Sequence, residues 1–154
     1  MKGLFKAILI VLSLFVADLS FAACTVTTTA MNFPSYNLFS LIPTDSTGTV
    51  TIECTENVQS DVSMGASSTS GGFSPRQMSH VSGVYQLNYN LYTDATYTSI
   101  WGDGAGGGII LETKVKKNKP PTTVTVYGRI PAGQTGIAGA YSDSVTILVE
   151  WWPL

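Results

Sequence analysis

The sequence predicts an all-β, antiparallel two-sheet sandwich, on three observations. Apolar and polar residues alternate with period two in several separate runs after residue 22. Helical spacing is absent over the same stretch. Threonine and other β-branched residues fill the runs, and these fit a pleated, half-buried surface better than a helix.

In chain order, Val26 and Thr28 alternate with Thr25, Thr27 and Thr29 behind Cys24. The turn-forming stretch Pro43–Gly48 precedes a second run, in which Val50, Ile52 and Cys54 alternate with Thr49, Thr51 and Glu53. Val62 and Met64 flank Ser63, and the Ser/Gly-rich segment Ser67–Pro75 reads as a loop. Tyr85, Leu87, Tyr89 and Leu91 against Gln86, Asn88 and Asn90 form the cleanest alternation. A glycine-dense connection, Gly102–Gly108, leads to a short strand at Ile109–Thr113. Pro120-Pro121 opens the run holding Val124 and Val126, at a strand start where a missing N–H costs no ladder bond. Pro131–Gly139 punctuates the approach to one long final strand, Tyr141–Trp151, with Val145, Ile147 and Val149 on one face.

The first residues read as an address. Lys2 and Lys6 precede the apolar run Ala7–Ala17, and Ser20 and Ala22 place small residues ahead of a cut after Ala22. The run is too short for a membrane span, which needs about 20 residues, and Asp18 ends it. A lipoprotein signal is a weaker fit, because Phe21 leads the Phe-Ala-Ala-Cys24 stretch. The expectation is therefore a signal peptide over 1–22, a single sandwich domain over 23–154, export from the cytoplasm, and no stable membrane insertion. Outside the cytoplasm the two cysteines have one intramolecular pairing, Cys24 with Cys54; two free buried thiols are the alternative.

Composition excludes several function classes. Charged residues are 12% of the chain, and the formal net charge is −2. Losing Lys2, Lys6 and Asp18 with the leader leaves six basic against nine acidic residues. Phosphate-backbone binding needs clustered Lys and Arg, so nucleic acid is not the expected partner. A mean hydropathy of +0.22 excludes a disordered chain. The single histidine, His80, sits among polar residues, with no nucleophile-elbow motif in the chain; it reads as an exposed loop histidine. Two cysteines and one distant histidine make a poor zinc set, and Asp103 lacks a full calcium-loop series. Neither an enzyme nor a cofactor is expected. Lys114, Lys116, Lys117 and Lys119 are the only basic cluster, read as a solvated hairpin that protects an edge by charge, or as a weak anion contact. Leu38, Phe39, Leu41, Ile42 and Trp101 fall in loops and form a candidate apolar contact surface, unless they fold over the sandwich ends.

The spaced motifs form a series. Cys24-Thr-Val is followed by Asp45-Ser-Thr-Gly-Thr-Val-Thr-Ile-Glu-Cys54, Arg76-Gln-Met78, Leu87-Asn-Tyr-Asn-Leu-Tyr-Thr-Asp94, Trp101-Gly-Asp-Gly104, Tyr127-Gly-Arg-Ile-Pro-Ala-Gly-Gln134 and Gly139-Ala-Tyr-Ser-Asp-Ser-Val-Thr-Ile147. This order and spacing resembles the spore coat protein U domain family, which includes subunits of archaic chaperone–usher pili. The resemblance implies an immunoglobulin-like sandwich lacking its final strand. It also implies a periplasmic chaperone, an outer-membrane usher and other pilus subunits as partners, with localisation to the periplasm and then the cell surface. On that reading Val26, Val145, Ile147 and Val149 line an acceptor groove for a visiting strand; in a closed sandwich they would be ordinary core. Two departures stand out. The family's Phe-Gly after the first strand is Phe33-Pro34 here, and only Ala23 lies between the expected cut and Cys24, where polymerising subunits carry a donor stretch. The expectation is a tip or minor pilus subunit, with a self-complete secreted coat-like or surface-binding module as the alternative.

Overall fold

The computed structural model describes residues 22–154. Apart from Ala22, the expected leader lies outside the described residues. Nine strands are present: β1 (Cys24–Thr29), β2 (Thr44–Cys54), β3 (Val58–Ser67), β4 (Arg76–His80), β5 (Gln86–Tyr92), β6 (Leu111–Val115), β7 (Thr122–Ile130), β8 (Tyr141–Ser142) and β9 (Val145–Pro153). They form a six-stranded sheet in the order β1-β2-β7-β5-β4-β8 and a three-stranded sheet in the order β6-β3-β9. Every named pairing is antiparallel, and no helix occurs among the described residues.

The alternation places the core. Val50 and Ile52 from β2 and Leu87, Tyr89 and Leu91 from β5 face Val58, Val62 and Met64 from β3, all buried. Cys24 lies directly opposite Cys54 in the β1–β2 register, and the two are joined as a cystine. On the outer face, Thr27, Thr51 and Thr123 align across β1, β2 and β7, as do Thr29, Thr49 and Thr125. Hydroxyl contacts of 2.9 Å (Thr29–Thr49) and 3.0 Å (Thr51–Thr123) link neighbours in this array.

Several expectations are corrected. The Pro43–Gly48 turn is mostly strand: β2 starts at Thr44, and Asp45 pairs in register with Arg129. Arg129 Nε and Nη2 donate to the two Asp45 carboxylate oxygens at 2.7 and 2.8 Å, a cross-strand tie that overrides local turn chemistry. Gly48 sits within this strand because β1 crosses close by; a Cβ there would stand 3.0 Å from the Thr29 carbonyl oxygen. The short strand runs over Leu111–Val115 instead of Ile109–Thr113. The lysine segment is no hairpin, since β6 and β7 belong to different sheets and the turn crosses between them. The single long last strand is divided: β8 pairs with β4 in the larger sheet and β9 with β3 in the smaller one.

Candidate functional site

The sandwich is open along one side. β1 is an edge of the larger sheet and β9 an edge of the smaller, so among the described residues each has one strand partner and one unpaired margin. Val26 shows that the gap between them is real. It faces inward opposite Ile52, which is fully buried, yet Val26 is 38% exposed. At one end the two edges are bridged, where Trp151 Nε1 donates to the Ala22 carbonyl oxygen at 3.2 Å. At the other end they part around a cavity of about 480 Å³.

The floor and walls of this cleft are apolar. Met64, Met78, Tyr89, Leu91 and Val126 form the floor, Met31 and Phe33 one wall, and Val145 and Ile147 the other. Val145 and Ile147 therefore line the cleft directly. Val149 packs against the core further along β9, and Val26 lies further along β1, both beyond the cavity lining. The alternation in the sequence identifies the β9 wall. Met31 and Phe33, which lie past the end of β1, are not found by it. Their signal is Gly128, a lone glycine in a strand pattern: a Cβ there would fall 2.8 Å from Phe33 Cζ and 2.9 Å from Met31 Cε.

Asp143 sets the opening. It stands where the chain leaves β8 for β9, and it lines the cleft. Its carboxylate accepts from Tyr89 Oη and Ser68 Oγ, both at 2.7 Å, and from Thr69 N and Oγ1, both at 3.2 Å. Burial by itself raises its carboxyl, but the bonds from Tyr89 and Ser68 outweigh this and hold it below the ordinary 3.8. A carboxylate lowered in the folded state contributes stability above its unfolded value, and loses that contribution as pH falls through the folded one. Stability should thus decline with acidification below about pH 4, and Asp143→Asn should flatten that acid limb in urea titrations. An unchanged limb would show that the carboxylate does not hold the crossing.

A second cavity of about 710 Å³ adjoins the first and shares Phe33, Met78 and Tyr141 with it. Leu38 and Phe39 are in its lining. From there the loop turns outward, with Phe39 93%, Leu41 95% and Ile42 74% exposed. Asn37 Oδ1 accepts from Phe39 N at 3.0 Å and orders the turn. Trp101, expected with these loop residues, is fully buried instead, and its Nε1 donates to the Val62 carbonyl oxygen at 2.8 Å.

The residues screened for chemistry each have a position in the sandwich or its turns. His80 ends β4 and is buried, contrary to the exposed-loop expectation. Its Nδ1 accepts from Ser82 N at 3.1 Å, and its ring packs edge-on to Tyr141 with centroids 4.9 Å apart. Asp103 Oδ1 accepts from Ala105 N and Gly107 N and shapes the glycine-rich turn. Among the described residues no three His, Cys, Asp or Glu side chains gather as a metal site.

Comparison with known proteins places this geometry. The family model described as Spore Coat Protein U domain matches residues 10–148. Protein U of Myxococcus xanthus is 28% identical over 111 residues, 68% of this chain and 59% of that protein. A chain in the crystal structure of the CsuC–CsuE chaperone–tip adhesion subunit pre-assembly complex, from archaic chaperone–usher Csu pili of Acinetobacter baumannii, superposes with a TM-score of 0.60 at 21% identity. That match covers 84% of this chain and 40% of the other. The Escherichia coli Hda pilus minor tip subunit HdaB matches with a TM-score of 0.45 at 18% identity, covering 86% and 89%; likeness at that level carries no inference. The chain thus spans less than two thirds of the length of the first two, and the structural match bears on the fold alone, an immunoglobulin-like sandwich.

Proposed function

Because this chain belongs to the Spore Coat Protein U domain family, we propose that it is an exported structural subunit of a chaperone–usher-type surface pilus, completed by a β-strand from a partner. The carrying observation is the apolar cleft between two unpaired edges, β1 and β9. An extended segment laid there would bond to a bare strand margin and set alternate side chains on Met64, Leu91 and Ile147. On this reading a periplasmic chaperone fills the cleft first, an usher passes the subunit on, and a neighbouring subunit supplies the final strand. A tip or minor position is the finer part of the proposal, supported by the single residue between the expected cut and Cys24. The exposed loop at Phe39–Ile42 is the apolar surface such a subunit offers to a neighbour or a substratum, a role read by retention on a hydrophobic resin.

The test is strand capture by the exported chain. A synthetic peptide of alternating hydrophobic residues, at about a hundred times its dissociation constant, should stabilise the protein by about 2.7 kcal/mol. That corresponds to a rise in melting temperature of roughly 8 °C for a domain of this size. Ile147→Asp should abolish the rise by placing a charge on the cleft wall. A melting temperature high without a chaperone and unmoved by any such peptide would favour the self-complete, coat-like module.

A further inference from the structure

We propose that the turn carrying Lys116, Lys117 and Lys119, which follows Lys114 on β6, binds an anionic sugar unit in the cavity beside it. The ligand class is a uronate or sugar phosphate within an acidic surface polysaccharide. The inference starts from where positive charge is left over. Among residues 22–154 the basic side chains are these four lysines, Arg76 and Arg129. Arg76 is fully buried, and Arg129 is engaged by Asp45. Every remaining cation of an otherwise acidic protein therefore sits within six residues of sequence.

The turn is held in place. Lys117 N donates to Asn57 Oδ1 at 2.9 Å, Lys117 Nζ pairs with Glu56 at 2.8 Å, and Asn118 adopts a left-handed φ of 57°. Among the described residues the side chains of Lys116 and Lys119 make no hydrogen bond or ion pair. Both line a cavity of about 430 Å³ together with Thr25, Thr55 and Glu53, a volume within the usual range for small-ligand sites. The mixed lining argues for a sugar acid and against a bare anion or a flat acidic protein surface. Ammonium groups take the carboxylate or phosphate, whereas Glu53 and the threonine hydroxyls suit a ligand that also carries hydroxyl donors. The turn stands at the Cys54 end of β2, and the exposed apolar loop at the other. The 11 residues of β2 separate these poles by about 35 Å. The site is independent of whether the cleft accepts a strand.

The test titrates the exported chain with oligogalacturonate, galactose 6-phosphate, inorganic phosphate and neutral maltooligosaccharide by calorimetry. Salt is held at about 10 mM, where screening reaches only beyond about 30 Å. One or both acidic sugars should bind, the responding arm telling carboxylate from phosphate, with inorganic phosphate weaker and maltooligosaccharide silent. The double substitution Lys116→Gln and Lys119→Gln should weaken binding about tenfold, as for two exposed charge pairs, without moving the melting temperature. Raising salt on the unmodified chain should weaken it similarly. Equal binding by the variant, equal binding of maltooligosaccharide, binding indifferent to salt, or no binding of either acidic sugar would each overturn the site.

Discussion

Replacing Arg76 by methionine should cost about 3–5 kcal/mol, enough to unfold the domain or leave it barely folded. Arg76 is fully buried on β4, and its guanidinium works as a hub. Nε and Nη2 donate to the Gly65 carbonyl oxygen at 3.1 and 2.8 Å, Nη2 also to Trp101 O at 2.8 Å, and Nη1 to Asn90 Oδ1 at 2.9 Å. Gly65 lies on β3, so this one side chain ties the smaller sheet to the larger. Burial pushes the guanidinium downward from its ordinary value, partly offset by Tyr89, Asp143 and Asp103. Among the described residues no carboxylate pairs with it directly; a cage of oxygens holds the charge. Exchanging a buried ion pair for apolar residues can be harmless when both partners go. Here the oxygens stay behind, and each loses its donor in a fully buried site. Arg76→Lys should recover only part of the loss, because an ammonium cannot reproduce the fork. Urea unfolding would read both; a methionine variant within about 1 kcal/mol of the parent would refute the hub, that being the usual cost of an ordinary substitution.

Removing the cystine by Cys24→Ser with Cys54→Ser should destabilise by about 3–4 kcal/mol in the chain-entropy model, given a sequence separation of 30. For a domain of this size that is a fall in melting temperature of about 10 °C. The loss should begin at β1. That strand has β2 on one side only, and its inward residues Val26 and Thr28 are exposed instead of packed. With the covalent tie gone, six ladder pairs to β2 remain to hold it. Hydrogen exchange at Thr25–Thr29 should accelerate well before the amides of β5 do. A reductant that leaves both the melting temperature and those amides unchanged would show that pairing alone holds the margin.

The alternation made much of the fold legible. Leu87, Tyr89 and Leu91 are buried as their spacing requires, and Val145, Ile147 and Val149 point inward as one face. Periodicity reports which side of a strand is apolar, but not which sheet the strand joins. That is why Tyr141–Trp151 read as one strand although Asp143 divides it, its partners Ser68 and Tyr89 lying 75 and 54 residues away. The same limit applies to Thr44–Thr47, where Arg129, far along the chain, decides strand over turn. His80 and Trp101 read as loop residues because their neighbours are polar or glycine, and Arg76 stands in no alternating run. Each is buried through partners distant in sequence, and local pattern carries no trace of those. The cleft was half legible: β9 supplies one wall by alternation, while Met31 and Phe33 lie in irregular chain with no period to betray them.

The composition of β1 has a consequence for the protein on its own. Cys-Thr-Val-Thr-Thr-Thr holds no lysine, glutamate or proline, and its paired register with β2 runs without interruption from Cys24 to Thr29. Nothing in it repels a second molecule that arrives margin first. An unaccompanied pool of this protein should therefore be lost by a second-order process, its half-life shortening as concentration rises, so that supply of a companion sets how much of it a cell can keep in solution.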